Sequence, residues 1–171
     1  MDQFFEQLEE LCRTWVHNGL PSREQIRNRA EALSDWKEDH QINGLWLHRP
    51  TLITATIDDG IGQGIEIINL YGRLLGCEVI PLGLMQKPAT IVQRCRQHRP
   101  RYLGLTVLQL DSEEDLTEIV AELPPETKLI AGGPAFKYDP EMASRCGVHF
   151  VAANVAYFIE FMLNEARRPL P

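Results

Sequence analysis

Hydrophobic and polar positions change their rhythm near residue 48. Before that point, Phe4, Phe5, Leu8, Leu11, Cys12 and Trp15 recur at helical spacing with acids between them, which predicts an amphipathic helix. Gly19-Leu20-Pro21-Ser22 stops it. Ser22, with Gln25 three residues on, sets a capping box for a second helix over about 23–40 that carries Ile26, Ala30, Leu33 and Trp36. From Pro50 onward, short apolar runs with little alternation (52–57, 78–82, 102–108, 128–131 and 149–152) alternate with helical patterns over 61–75, 89–97, 112–123, 140–145 and 155–167. Strands that do not alternate are covered by helices on both faces. The expected fold class is therefore α/β: a doubly wound five-stranded parallel sheet, flavodoxin-like, with order 2-1-3-4-5 and a short N-terminal helical extension.

This divides the chain into a helical leader or cap, 1–47, and an α/β domain, 48–171. The leader is too short to stand as a bundle of its own. It either packs on the α/β domain or pairs with another chain, which would make a homo-oligomer through the leader helices. The last six residues, 166–171, are expected to be loose.

Charge and cysteine usage narrow the class. A net charge of −7 implies no basic surface for nucleic acid. The one basic cluster, Arg94, Arg96, His98, Arg99 and Arg101, reads as a solvated helix end, where cations are favoured. No apolar run is long enough to cross a bilayer. The four cysteines share no CxxC or metal-ligand spacing and no signal peptide is evident, so reduced thiols and a cytoplasmic location are expected.

Candidate chemistry gathers where the strands end, the place at which open parallel sheets bind ligands. Strand one runs into Asp58-Asp59-Gly60-Ile61-Gly62-Gln63-Gly64 and strand two into Gly83-Leu84-Met85, with Pro88 opening the next helix. Strand three carries Gly104-Leu105-Thr106-Val107-Leu108, and strand four ends in Gly132-Gly133-Pro134. Each glycine has a local explanation in its own turn; several on one rim point to a binding site.

Over about 51–163 this arrangement resembles the cobalamin-binding domain family. The family's pattern is Asp-x-His-x-x-Gly after strand one, Ser-x-Leu after strand three and Gly-Gly after strand four. This chain has Ile57-Asp-Asp59-Gly-Ile-Gly62, Thr106-Val-Leu108 and Gly132-Gly133 at those places, and Leu75-Gly-Cys-Glu-Val-Ile-Pro-Leu-Gly83 is also similar. The resemblance implies cobalamin as cofactor, with Asp59, Gly60, Gly62, Thr106, Leu108, Gly132 and Gly133 as cofactor-binding positions. The equivalents of Gly62, Thr106, Leu108, Gly132 and Gly133 line a slot for the cofactor's nucleotide tail. In the family the motif histidine ligates cobalt from below and the motif Asp backs it. Here Asp59 replaces the histidine and Ile57 the Asp, so the motif offers cobalt no imidazole. Three lower-face arrangements stay open: the cofactor's own base on cobalt, the tail in the slot with water or nothing below, or Asp59 near the metal. The first two are favoured. Trp36, His40, Trp46 and His48 are candidates to meet the upper face, though packing explains such tryptophans more simply.

The implied function is to hold a corrinoid for a partner protein, as carrier in methyl transfer or as sensor, with no catalytic residue and no protein metal site assigned to the chain itself. The alternative is a cofactor-free protein-interaction module on an inherited cobalamin-binding fold. A phosphoacceptor receiver would need a third acid at the end of strand three, where Thr106-Val107-Leu108 stands. A dinucleotide fingerprint fails as well, because its third glycine is one residue early and strand two ends without an acid.

Overall fold

The computed structural model describes residues 2–168. Five strands, β1 (Thr51–Thr56), β2 (Glu78–Gly83), β3 (Tyr102–Thr106), β4 (Lys128–Gly132) and β5 (Phe150–Val151), form one sheet in the order β2-β1-β3-β4-β5. Every pairing is parallel. The flavodoxin-like order expected from the hydrophobic pattern is the one the chain adopts. Pro81 sits in β2, an edge strand, where a missing N–H costs no ladder bond to a second neighbour.

Alternate residues of the central strands feed two cores. Leu52, Tyr102 and Ile130 face α3 (Gln63–Leu75) and α8 (Val155–Arg167). Ile53, Leu103, Leu105, Leu129 and Ala131 face α4 (Pro88–His98), α5 (Glu113–Glu122) and the short α7 (Met142–Cys146). A four-residue helix, α6 (Ala135–Tyr138), follows β4 and was not expected. Strand three is shorter than the apolar run suggests, since Leu108 and Gln109 give their N–H groups to a carboxylate rather than to a neighbouring strand.

The leader forms α1 (Asp2–Asn18) and α2 (Arg23–Asp39), and Ser22 and Gln25 make the capping box in both directions. Phe4, Leu8, Trp15, Ile26 and Leu33 are buried in the same core as α3, α8 and one face of the sheet. The apolar stripe is thus covered within the chain. Leader residues also close the last turn of α3, whose terminal carbonyls would otherwise be orphaned. Lys37 Nζ donates to the Leu74 carbonyl (3.0 Å) and Leu45 N–H to that of Leu75 (2.8 Å). Arg49 donates to the carbonyls of Gly76 and Cys77. Gly44 and Gly76 press backbone on backbone there: a Cβ on Gly44 would lie 2.5 Å from Gly76 Cα. Of the tail expected to be loose, Ala166 and Arg167 complete α8, and 169–171 lie outside the described residues.

One buried acid anchors the far end of α8. Glu165, 1% exposed, accepts from Lys128 Nζ (2.6 Å), Arg168 Nη1 (2.9 Å) and Tyr102 OH (3.3 Å), with Arg101 at 3.7 Å. Burial works to raise its pKa; the Lys128 hydrogen bond and the charges of Lys128, Arg168 and Arg101 outweigh it and hold the carboxyl below the usual range. A depressed carboxylate contributes its full stability above its unfolded pKa, about 4, and loses it as pH falls through the folded value. Glu165→Gln should therefore cost about 2 kcal/mol at neutral pH, with the gap from the parent narrowing in acid. Urea unfolding at neutral and acidic pH checks this; a gap that does not change with pH would refute the charge-based account.

Candidate functional site

Three turns meet at the carboxyl ends of the strands, and two side chains lock them together. Asp58 accepts from Leu108 N–H (2.8 Å), Gln109 N–H (2.8 Å) and Ser112 Oγ (2.8 Å), so the turn after β1 carries the turn after β3. Thr56, fully buried, donates to the Asp59 carbonyl (2.6 Å) and accepts from Met85 N–H (2.9 Å). Gln86 N–H adds a bond to the Thr56 carbonyl (2.7 Å), which ties in the turn after β2.

Asp59, 7% exposed, turns one oxygen back on its own chain: Oδ1 accepts from Ile61 N–H (2.8 Å) and Gly62 N–H (3.0 Å). This is an Asx-type turn that delays the start of α3 to Gln63. Gly62 caps the helix in the left-handed region, φ 75°, and a Cβ there would strike Leu84 at 2.4 Å. The two acids of the turn therefore serve the backbone around them. Among the described residues no group of three or more His, Cys, Asp or Glu is placed to hold a metal ion. The thiols of Cys12, Cys77 and Cys95 are pushed up to about 12 by burial and stay protonated.

Beside these turns a cleft of about 500 Å³ opens between the tips of β3 and β4, the first turn of α3 and the start of α8. That volume is within the range of small-molecule sites, about 300–1,000 Å³. Its floor is largely apolar, from Ile65, Ile68, Ile130, Ala152 and Phe158. Of the seven positions singled out in the sequence, Asp59, Thr106, Leu108, Gly132 and Gly133 border this cleft together. Gly60 and Gly62 do not: both belong to the outer side of the turn, against Met85 and Leu84. Gly132 and Gly133 are also demanded by the chain itself. A Cβ on Gly133, φ 114°, would fall 2.2 Å from the Val107 carbonyl oxygen, and one on Gly132 would fall 2.9 Å from that of Ala152. Gly64 differs from these. It borders the cleft, and a Cβ there would meet nothing within 4 Å.

The model of the B12 binding domain matches residues 51–156, more than half of the chain. The chain belongs to the B12-binding domain family. Membership names cobalamin as the cofactor, and the cleft tests the fit. The cleft is open at Gly64, where an added Cβ would meet nothing within 4 Å, and it is floored by apolar side chains. No imidazole stands at the motif position, and Asp59 is already engaged.

Solved structures share the fold at low identity. A cobalamin-binding protein from Desulfitobacterium hafniense matches with TM-score 0.78 and 18% identity over 94% of this chain and 78% of that one. The monomethylamine corrinoid protein of Methanosarcina barkeri gives 0.62 and 15% over 92% and 78%. The methanol:cobalamin methyltransferase complex of the same organism gives 0.67 and 15% over 98% and 66%. No curated protein sequence matches.

Two features of the cleft differ from what the linear pattern suggested. The leader, through Leu20, Pro21, Arg23 and Ile26, walls one side of the cleft, and Ala153 and Asn154 wall another. Asn154 is legible as a cap, its side chain accepting from Ala156 and Tyr157 N–H; the leader contacts bridge some forty residues and leave no local signal. Conversely, Trp36, His40, Trp46 and His48 do not reach the strand tips. Helix α2 starts at the cleft and runs alongside α3, so Trp36 and His40 stack on each other (4.0 Å) near α3's far end. Trp46 is buried against Tyr102, the first residue of β3, at the amino end of the sheet.

If Asp58 couples the two turns, Asp58→Ala should cost about 2 kcal/mol through stranded amide donors. Hydrogen exchange should speed at Leu108 and Gln109 ahead of the strand amides. Unaltered protection at those two amides would remove Asp58 from this role.

Proposed function

We propose that this chain holds cobalamin with its nucleotide tail in the cleft and its corrin over the strand tips, without a protein imidazole on cobalt, and presents it to a protein partner. The observation that carries this reading is the cleft itself, open at Gly64 and floored by apolar side chains beside the strand tips. Thr106, Leu108, Gly132 and Gly133 would border the tail; Asp59 would shape the turn under the corrin, with Gly60 and Gly62 giving that turn its path. The bound group would supply cobalt–carbon chemistry, and the chain's part is placement and exclusion of water. Oδ1 of Asp59 is committed to backbone amides, which favours the cofactor's own base or water at the lower face.

The rim supports a covered surface. Among the described residues, Ile61 (74% exposed), Met85 (60%), Leu110 and Tyr138 lie in the segments that follow β1, β2, β3 and β4 at this one end. Exposed apolar groups gathered in one place mark a binding face. Residues 1–47 then act as a leader that walls the slot, and 48–171 as the cofactor-bearing domain. The named relatives include a corrinoid protein and a methyltransferase complex, so the partner we favour is a methyltransferase, with the chain as carrier; sensing is the other use of the same site.

A second reading has one observation in its favour. Gly62, Gly132 and Gly133 each satisfy a close approach within the chain, so they would persist in a cofactor-free interaction module. Colour separates the two. Protein mixed with hydroxo-, methyl- or adenosylcobalamin and desalted should stay coloured; a colourless fraction with all three would leave the interaction module. Substituting Gly133 would disturb the fold whatever binds, so the slot is better filled from Gly64. Gly64→Ala should keep colour. Gly64→Trp should weaken retention about tenfold or more, at least about 1.4 kcal/mol, with an unchanged melting temperature. Full affinity in the Trp variant would move the tail out of the cleft.

A further inference from the structure

We infer that Arg23, on the leader, is the residue that receives the phosphodiester of the cofactor's nucleotide tail, so that the leader is part of the binding site as well as part of the core. This rests on the cobalamin reading above and adds to it a specific contact. Arg23 and Asp59 are the ionisable side chains on the cleft wall. Asp59 gives Oδ1 to the Ile61 and Gly62 amides, which leaves Arg23 as the cleft's cation. Its guanidinium donates to Gln63 Oε1, a neutral partner on the first residue of α3. Among the described residues no carboxylate lies within ion-pair distance of it.

The position is an unfavourable one for a cation in structural terms alone. Arg23 is the first residue of α2, where the helix dipole favours acids. An anion at the cleft mouth would reverse that sign, because the positive helix end and the guanidinium would then act together. The first turns of α3 and α8 also open on the cleft, at Gln63 and Asn154. The tail of cobalamin carries one phosphodiester between the corrin's side arm and the ribose. On a chain of net charge −7, a singly charged anion needs a local cation to approach. Gln63, which now accepts from Arg23, can turn its amide to the same phosphate.

Paired ligands provide the test: cobalamin carries the tail, and cobinamide lacks the base, ribose and phosphodiester. Affinities of the parent, Arg23→Gln, Arg23→Lys and Arg23→Glu for both are measured by absorbance titration at low and high salt. Arg23→Gln should bind cobalamin about tenfold more weakly. Arg23→Lys should recover part of that loss and Arg23→Glu should deepen it, while cobinamide affinity is the same in all four. The parent's cobalamin affinity should fall with salt more steeply than that of Arg23→Gln. Arg23 is exposed and opens α2, so no variant should melt below the parent and Arg23→Glu should melt slightly above it; a loss of affinity is then not a loss of fold. Cobalamin binding by Arg23→Gln within about twofold of the parent, or an equal loss for cobinamide, would overturn the contact and leave the cofactor reading standing. A parent that binds no cobalamin would overturn both.

Discussion

The Asp58 carboxylate holds the turn after β1 to the turn after β3 through two backbone amides and one hydroxyl, and the cleft's mouth depends on that coupling. Parallel strands end in turns that share no ladder, so their relative positions at the ligand-bearing edge must be set by something other than sheet pairing. Here Asp58 and Thr56 supply it, with Thr56 drawing in the turn after β2. A carboxylate accepting several N–H bonds is charge-assisted and geometrically demanding. The rim is therefore framed before any guest arrives, and binding need not order the loops.

The leader's role follows from where α3 ends. Its last two carbonyls are closed by Lys37 and Leu45, and Tyr71 OH donates to the Ile26 carbonyl (2.9 Å). These bonds hold α2 alongside α3 from the cleft to the far end of the sheet. With α2 fixed alongside α3, the turn over Leu20 and Pro21 lies against the cleft. The same contacts that complete the core thus form one wall of the slot. Fold stability and site shape share these residues.

How much of this could be read in the sequence depended on the range of each interaction. Strand order and covered faces were legible because 52–57, 102–108 and 128–131 lack alternation, and the Ser22–Gln25 box because capping is local. The end of β3 was not legible, since Leu108 and Gln109 leave the sheet for a carboxylate some fifty residues earlier. Glycines at strand ends were legible as a cluster but ambiguous in cause. Gly133 is forced by the Val107 carbonyl, whereas Gly64 faces open space, and residue type alone does not distinguish them. The direction of α2 was hidden too. Read the other way, its Trp36 and His40 would stand over the strand tips; stacked as they are, they serve packing at the opposite end.

Asp59, at the place where the sequence resemblance calls for a histidine, serves the turn itself. An imidazole that ligates a metal needs its second nitrogen held by a partner, and the position two residues earlier is Ile57, buried at 7% exposure. An aspartate at the same place has a shorter side chain and finds its partners at once in the N–H groups of Ile61 and Gly62. It closes the turn on itself instead of reaching outward. On the reading proposed above, such a site would grip through the shape of its slot and the charge at its mouth, with no bond to the metal from this turn. It would then discriminate among corrinoids by their tails rather than by the chemistry at cobalt. Arg23 and Gly64, which face the slot, should therefore weigh more in affinity than Asp59, which faces its own backbone.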